Sequence, residues 1–570
     1  MGSIRWRAIA LVIAVGLLAV ACGGGSGSQS QKLAANQTLS FPRLVGESVA
    51  TLDPAHANGN GDIFTEMELY AGLLQLNAQH KVVPSIAKSL PTVSSDGLTY
   101  TFQLNPKAKF WNGDPVTSAD VLYSWNRCAV AQDSYASFFQ PVVGYDAVAS
   151  GAAKTLSGLT APDPETVVAK LQYPAGYWET EVALWAARLV DQKAVVAGGA
   201  AWWSDPKTAV GAGAFRMSQY TPNASIDFVP VPNWWGGSTG TLTHIHVDMS
   251  VDGTSAVKKY EAGGYDLIGA ANASPPNSDV LRYAHDPTKK TQLHIYNDSA
   301  TTWLGFNFTG NSPFAPQPGI TPGQPTQGLG QDAGKAGRNA FSLAVNRNQL
   351  ANVACNQGLT CVPATGGYMA PGLRGFVGNN TDPSAPAGGD PAKAKAEYAK
   401  WDPTGSKVSG LQIEYNTTPS NDQIWQNVQS QLQQSLGVKL GLQPVDFPTL
   451  IHDRNNKKPV LMREAWSADY DHPQDWYSNN FECSQAKIGG GNSEGYCDPS
   501  MDKIVDRANQ QPVDQVLTQY KQSGQMLIQN QYAANLFYAK LPFLTQPYVQ
   551  GAGYNGLTDD DWTTIKILQH

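Results

Sequence analysis

The stretch from Ser94 to Trp125, SSDGLTYTFQLNPKAKFWNGDPVTSADVLYSW, carries signals for a strand, a turn and a helix in immediate succession. Apolar and polar residues alternate from Leu98 to Leu104, which is the period of a half-buried strand. The WNGDP sequence that follows is typical of a turn. Thr117 or Ser118 then fits the position that caps a helix, and Asp120 favours its first turn.

The same alternation of strand and helix signals continues along the chain. Strands are predicted, by alternation or β-branched and aromatic content, for TLSFPRL before the turn at Asp53-Pro54, THIHVDMS near 241–250 and TWLGFNFT near 302–309. Helices are predicted, by apolar spacing, for 63–76, GRNAFSLAVNRNQLANVA and DQIWQNVQSQLQQSL. The Pro- and Gly-rich stretches 311–333 and 377–391 indicate loops. An α/β or α+β chain of 570 residues is too long for one hydrophobic core, so two or three lobes are expected.

The N-terminus predicts export. Arg5 and Arg7 precede an apolar run from Ile9 to Val20, which is shorter than a membrane span of about 20 residues. Small residues lead to Cys22, and a Gly/Ser-rich segment follows it. This pattern resembles a bacterial lipoprotein signal, although Ala19 stands where such signals usually have Leu. It implies a signal peptide at 1–21, a lipid on Cys22 and a tether at 22–38.

The lipid would hold the protein on the extracytoplasmic face of the cell membrane. The alternative is a plain secretory signal in which Cys22 is incidental. No later segment of the sequence is long and apolar enough to predict a membrane span.

Five further cysteines fit an oxidising compartment. The spacings of Cys355 with Cys361 and of Cys483 with Cys497 suit two local disulfides, and Cys128 is left as a buried thiol. Because the sequence has no C-x-x-C and only nine histidines, we expect neither a metal nor a cofactor. A net charge of −7 without long basic runs argues against nucleic acid as a partner.

Three short patterns could indicate catalysis or metal binding. Gly236–Gly240 matches G-x-S-x-G, but turn residues surround it where an elbow needs a strand and a helix. Ser85–Lys88 matches S-x-x-K without its companion motifs. His244, His246 and Asp248 lie in phase on one strand, which is more typical of a polar strand face than of a metal site. No base and nucleophile pair is evident, so we do not expect an enzyme.

A series of motifs in a fixed order is more informative. The series contains LDPAHANGNGDIFTEMELYAGLL, KVVPSIAKSL, the Ser94–Trp125 stretch, AVGAGAFRM, PNWWGG, EAGGYDLI, RNAFSLAVNRNQL and AWSADYDHP. From about residue 39 to 550 the chain resembles the large peptide- and nickel-type solute-binding proteins of ABC importers, the extracellular family 5 group. The resemblance implies an α/β, two-lobed periplasmic-binding-protein-like fold (type II, cluster C) with a subdomain inserted in the first lobe.

The resemblance also implies a division of the chain and a mode of action. The expected parts are lobe I at 39–77, 205–295 and 545–570, the inserted subdomain at 78–204 and lobe II at 296–544. The two lobes would close on a ligand about a hinge near 295 and 545, and an ABC permease with cytoplasmic ATPases would receive it. We expect a monomer.

The site residues implied by the resemblance belong to a peptide site. Peptide binders of this group hold the ligand as an added strand and anchor its free amine on an Asp in a W-x-x-D segment, which is Trp466 to Asp469 here. Ala465, Trp466 and Ser467 would offer backbone groups to the peptide. Arg463 would stand near a C-terminal carboxylate. On the first lobe, Asn60 and Gly61 would bond the other edge of the peptide.

Structural roles are the alternatives for these residues. Asp469 would cap a turn, Trp466 would belong to the core, Arg463 would form a surface ion pair, and Asn60 with Gly61 would be a flexible loop. Asp471, Asp475 and Trp476 are expected to be ordinary loop residues.

Other ligands also remain open within this fold. The fifteen tryptophans would suit an oligosaccharide, although aromatic core is the commoner use of Trp. A nickel or haem ligand is disfavoured by the scattered histidines. A secreted hydrolase is the alternative from another class of protein.

Overall fold

The computed structural model describes residues 32–46, 49–133, 135–269, 274–558 and 561–570. The predicted signal peptide, Cys22 and the first part of the tether lie outside these ranges. In the part of the chain that is described, no helix has the length and apolar character needed to cross a membrane.

Strands and helices alternate along most of the chain. The strands are β1 Thr38–Leu44, β2 Leu74–Leu76, β3 Val82–Pro84, β4 Thr92–Val93, β5 Thr99–Gln103, β6 Leu159–Asp163, β7 Thr166–Lys170, β8 Phe215–Thr221, β9 Ser225–Pro230, β10 His244–Val251, β11 Leu267–Ile268, β12 Leu293–Phe306, β13 Cys361–Pro363, β14 Gln412–Asn416, β15 Gly441–Val445, β16 Leu461–Ser467, β17 Ala533–Thr545, β18 Val549–Gln550 and β19 Lys566–Ile567. The helices are α1 Asn60–Leu69, α2 Ser118–Ala131, α3 Tyr145–Ala149, α4 Trp178–Val182, α5 Gln192–Gly198, α6 Gly253–Glu261, α7 Asn277–His285, α8 Lys335–Ala344, α9 Arg347–Ala354, α10 Pro391–Trp401, α11 Pro419–Leu436, α12 Phe447–Asn455, α13 Pro473–Asn480, α14 Pro499–Asn509 and α15 Val513–Gln529.

A four-stranded sheet with the order β1-β10-β9-β8 contains the predicted strands TLSFPRL and THIHVDMS. β1 runs parallel to β10, and the other neighbours are antiparallel. Trp562, from the C-terminal segment, packs against Phe41, Phe215 and Phe228 with ring centroids 5.2–6.2 Å apart. The last residues of the chain therefore complete the core next to its first strand.

The Ser94–Trp125 stretch folds as predicted, into β5, a turn and α2. β5 lies in a second four-stranded sheet with the order β4-β5-β7-β6. Thr117 precedes α2, and its backbone N–H donates to the Asp120 carboxylate at 2.8 Å. Trp125 and Phe102 are buried together with Trp178, so the alternating strand and the apolar face of the helix share one core.

The third sheet has seven strands, in the order β11-β17-β12-β16-β14-β15 with β13 also paired to β17. Its two long strands, β12 and β17, run antiparallel over most of their length. β11, which follows the four-stranded sheet in sequence, pairs with the end of β17 at Leu544 and Thr545. The hinge positions expected near 295 and 545 fall at the start of β12 and the end of β17, while the division into lobes stays a prediction.

Two helix predictions are wrong in extent. The helix expected over 63–76 ends at Leu69, and residues 74–76 form β2. The helix expected over GRNAFSLAVNRNQLANVA is two helices, α8 and α9. The side chain of Asn346 accepts from the Gln349 N–H at 2.9 Å and so caps a new helix in the middle of the predicted one.

The cysteines pair as predicted. Cys355 is joined to Cys361 and Cys483 to Cys497, and Cys128 is a buried free thiol. Burial raises the pKa of Cys128 to about 12.

Among the described residues, six tryptophans have less than 2% of their surface exposed. They are Trp125, Trp178, Trp202, Trp303, Trp425 and Trp476. Much of the high tryptophan content therefore builds the hydrophobic cores.

Candidate ligand-binding site

The segment that follows β16 forms one wall of a cavity in the described structure. β16 pairs with β12 from Leu461 to Ser467, with Trp466 opposite Thr301. The chain then leaves the sheet and enters α13 at Pro473. The side chain of His472 accepts from the Gln474 N–H at 3.1 Å, and a proline in the first helical turn suits a helix start. The segment is thus held between a strand and a capped helix.

The expectation that Asp471, Asp475 and Trp476 are ordinary loop residues is wrong. Asp475 and Trp476 lie in α13 with at most 1% of their surface exposed. Asp471 is also buried, where it accepts from the Arg374 N–H at 2.6 Å and lies 3.5 Å from the Arg374 guanidinium. The sequence gives no apolar periodicity over PQDWYSNN, so the cap and the proline were its only helix signals.

The cavity has a volume of about 850 Å³, within the range of pockets that enclose small ligands. One wall comes from residues 466–510. The opposite wall comes from residues 135–181, which belong to the predicted inserted subdomain. Tyr470 joins the two walls, since its ring lies 6.2 Å from Phe138. The backbone adds a direct bond from Gly176 N–H to Asn509 O at 2.7 Å.

Asp469 lies in the cavity wall without a basic partner among the described residues. Its Oδ1 accepts the hydroxyl of Tyr135, from the opposite wall, at 3.3 Å. Burial raises the pKa of Asp469 to about 6, because the ionised form loses water without gaining a cation. Asp471, two residues away, has Arg374 beside it. Of these two carboxylates, only Asp469 faces the cavity with its charge uncompensated.

Trp466 and Asp469 are both tied to Asp475. The Trp466 indole N–H donates to Asp475 Oδ2 at 3.1 Å, and the Asp469 backbone N–H donates to the same oxygen at 3.2 Å. Burial, together with the charge of Asp469, raises the pKa of Asp475 well above its ordinary value. Two carboxylates in this arrangement do not both ionise readily until a cation arrives.

The remaining residues implied for lobe II differ in where they lie. Ser467 lines the cavity, whereas Ala465 and Arg463 are not among its lining residues. Burial, with the nearby Arg454, lowers the pKa of Arg463 to about 10. The Arg454 guanidinium also donates to the Arg463 carbonyl at 3.4 Å. Arg463 thus lies within the packed sheet region away from this cavity.

Asn60 and Gly61 form the first turn of α1 rather than a loop. The Gly61 carbonyl accepts the Thr65 hydroxyl at 2.7 Å within the helix. Neither residue lines the cavity. The structure therefore does not bring them together with Asp469, and their role in binding stays a prediction.

One edge of β16 is open where it reaches the cavity. β12 covers the other edge as far as Ser467, but the pairing with β14 involves only Leu461 and Met462. In the described structure no strand pairs with that edge beyond Met462. Of the residues of β16 beyond Met462, Trp466 and Ser467 line the cavity.

Tyr135 and Glu181 line the cavity but were not predicted from the sequence. Tyr135 is 334 residues from its partner Asp469, so no local pattern could connect them. Glu181 lies in α4, is only 5% exposed and has its Oε1 3.3 Å from the Tyr470 hydroxyl. The only local sign was the presence of two acidic residues, Glu179 and Glu181, beside the apolar residues of WETEVALW.

The polar strand face predicted for His244, His246 and Asp248 is observed. Asp227 lies 3.0 Å from His244 and 2.8 Å from His246, and Asp248 contacts Lys259 at 2.6 Å. No group of residues in the described ranges is arranged to hold a metal ion. Gly236–Gly240 lies in the connection between β9 and β10, with no helix after Ser238.

The fold places a cavity between two parts of the chain, an arrangement typical of ligand-binding proteins. The chain belongs to the bacterial extracellular solute-binding proteins, family 5, whose family model matches residues 81–487, more than two thirds of its length. This confirms the resemblance found in the motifs. It also makes the chain a binding protein rather than an enzyme.

Comparison with individual proteins gives the same result. The periplasmic murein peptide-binding protein MppA of Escherichia coli is 25% identical over 93% of this chain and 93% of its own length. The oligopeptide-binding protein OppA of Bacillus subtilis is 24% identical over 97% and 96%.

Solved structures confirm the predicted two-lobed α/β fold. The unliganded open form of MppA has a TM-score of 0.75 at 23% identity and covers 95% of this chain and 99% of its own. The OppA of Listeria monocytogenes bound to peptide has a TM-score of 0.69 at 19% identity, over 94% and 100%.

Proposed function

We propose that this protein is the lipid-anchored binding component of an ABC importer and that it captures short peptides for delivery to the permease. The observation that carries the proposal is the combination of an open β16 edge with the uncompensated Asp469 at its end. A peptide added beside β16 would use the edge for its backbone. Its free amine would then meet the Asp469 carboxylate, which lacks a cationic partner.

The energetics of this arrangement are sufficient. Micromolar affinity corresponds to about −8 kcal/mol. Hydrogen bonds contribute about 1 kcal/mol each, and a buried charge pair contributes more. The relatives named above support the ligand class, since their names specify peptides.

The remaining parts of the proposal concern how the protein works in its setting. The predicted lobes close about the strands β12 and β17, so that the permease distinguishes the filled protein from the empty one. The monomer stays on the outer face of the membrane through a lipid on Cys22 and needs no metal or other cofactor. On this proposal, the peptide contacts Arg463, Asn60 and Gly61 only when the lobes close.

Mass spectrometry of material that co-purifies in the cavity tests the ligand class. Short peptides are expected, in a mixture, because backbone bonding does not depend on side chains. A glycan or a metal complex instead would overturn the proposal. Trp466 is the one tryptophan among the described lining residues, so the high tryptophan content of the chain does not by itself indicate a sugar ligand.

A further inference from the structure

Glu181 is one of the acidic groups of the cavity that the proposed function leaves unused. It lies on the wall opposite β16, in the short helix α4, and is 95% buried. Its Oε2 has no hydrogen-bond partner in the described structure. Other buried carboxylates of the described chain also have an oxygen without a donor, but Glu181 is the one among them that lines the cavity, where a ligand can supply the donor.

The other oxygen of Glu181 is only partly satisfied. The Tyr470 hydroxyl lies 3.3 Å from Glu181 Oε1, but it also makes a shorter bond to Gln474 Oε1. A hydroxyl has a single hydrogen to donate, so one of these two acceptors goes without. The carboxyl of Glu181 therefore has at most one donor for two buried oxygens. Burial, followed by the charge of Asp475, raises its pKa well above the ordinary value.

The charges around the cavity are of one sign. Five carboxylates line it, and no Lys, Arg or His is among the described lining residues. The carboxylates are Glu181, Asp469, Asp475, Glu482 and Asp506. Burial raises the pKa of each of them, and a second cation besides the α-amine would favour their ionised forms.

We propose that Glu181 forms a second cation subsite, which takes the ammonium or guanidinium group of a Lys or Arg side chain near the amino end of the bound peptide. This inference rests on the proposed function. Tyr470 directly follows Asp469 and contacts Glu181 on the opposite wall, so one residue links the two carboxylates across the cavity. Tyr135 and Tyr177 also line the cavity and offer ring faces to the aliphatic stem of such a side chain.

The test compares lysine with norleucine, which keeps the aliphatic stem and lacks the charge. Tripeptides with Lys or norleucine at position 1, 2 or 3, otherwise Ala, are titrated calorimetrically at pH 7 into the intact protein. At one position, Lys should bind about tenfold more tightly or better, as expected for a close buried charge pair. Glu181→Gln should reduce this preference to about twofold or less, by removing that pair, and leave the affinity for the norleucine peptide nearly unchanged.

Glu179 provides a matched control on the same helix. It is two residues from Glu181, is half-buried and does not line the cavity. Glu179→Gln should therefore keep the full preference for Lys.

A second measurement uses only the native protein. Because binding of Lys favours the ionised carboxyl of Glu181, the Lys peptide should release more protons than the norleucine peptide. Titrations in two buffers with different ionisation enthalpies give this difference, even if Glu181→Gln does not fold.

Three results would overturn the inference. Equal affinity for Lys and norleucine at all three positions, or a preference that persists in Glu181→Gln, would leave Glu181 as an acid that only bonds Tyr470. Either result would leave the proposed peptide-binding function standing. If neither type of peptide binds, the proposed function itself fails, and the subsite fails with it.

Discussion

The Tyr135 hydroxyl donates to the Asp469 carboxylate across the cavity at 3.3 Å, although the two residues are 334 positions apart in sequence. This bond joins the predicted inserted subdomain to the segment that follows β16. A tyrosine hydroxyl is a neutral donor, so it orients Asp469 without neutralising it. The carboxylate thus stays available to a cationic group of the ligand.

Asp469→Asn should weaken binding of a free-amine tripeptide by about 2–5 kcal/mol, because the ammonium would lose its partner in a dry site. The same peptide with an acetylated amine carries no charge there and should bind both proteins alike. Calorimetric titration of each peptide into each protein gives the comparison. Equal losses for the two peptides would remove the role of Asp469 as amine anchor.

The raised pKa of Asp469 predicts a pH-dependent effect on the stability of the empty protein. Its pKa is about 6 in the folded protein and near 3.8 when unfolded, so the folded state binds the extra proton between these values. Protonation of Asp469 therefore stabilises the folded state fully below pH 4, and this stabilisation is lost as pH rises through 6. At pH 7, Asp469→Asn should therefore raise the unfolding free energy by up to about 3 kcal/mol.

This gain should shrink as pH falls from 7 to 4. Urea unfolding of the native protein and the variant at several pH values measures it. Asp446→Asn, at an exposed helix cap, is a control that should not produce a gain at pH 7. A difference that is constant with pH would contradict the assignment of the shift to Asp469.

Much of the fold was predictable because its signals are local. The alternation of Leu98–Leu104 and the cap at Thr117 predicted β5 and α2 correctly, since each depends on residues a few positions apart. Trp466 and Asp469 were placed by a resemblance, and both do line the cavity. The end of α1 at Leu69 was missed because apolar spacing continues past it into β2.

The cavity wall opposite β16 could not be predicted from such local signals. Glu181 meets Tyr470 only through packing between segments 289 residues apart. Asn60 and Gly61, which are expected to bond the ligand from the first lobe, form the first turn of α1 and do not line the cavity, so their role in binding stays a prediction. In the structure the wall opposite β16 comes instead from residues 135–181.

Removal of the disulfide between Cys483 and Cys497 should affect both stability and binding. A closed loop of 14 residues corresponds to about 3 kcal/mol of stability, mostly through the unfolded chain. Ser484 and Gln485 lie within the loop and line the cavity. The double variant with serine should lose stability in urea unfolding and bind peptide more weakly.

The Cys355–Cys361 pair is the matched control. It closes a loop of only six residues and contributes about 2 kcal/mol to the free energy of unfolding. Neither cysteine lines the cavity. Its removal should leave peptide affinity unchanged. Equal effects of the two removals on binding would contradict a link between the Cys483–Cys497 loop and the site.

Cys22→Ala should release the protein from the membrane. A lipid on Cys22 is the only anchor that the sequence predicts, since no later segment predicts a membrane span. Fractionation of cells that express each form should place the native protein with membranes and the variant in the medium or soluble fraction. Cys128→Ala, at a buried thiol, is the control that should stay with membranes. Membrane association of both variants would overturn the lipid anchor.

Methylation of single backbone amides in the peptide should reveal the added strand. A strand beside β16 bonds its neighbour through alternate residues, because successive N–H groups point to opposite sides. N-methylation should therefore weaken binding at every second position, by about 1 kcal/mol or more for each bond lost to β16, and have a smaller effect at the positions between, where only Asn60 and Gly61 are expected to bond the peptide. A series of pentapeptides methylated at positions 2, 3, 4 and 5, titrated at pH 7, gives the pattern. The free amine is kept in all of them, so the Asp469 contact is constant. Uniform losses along the series would mean that the open edge of β16 does not pair with the ligand.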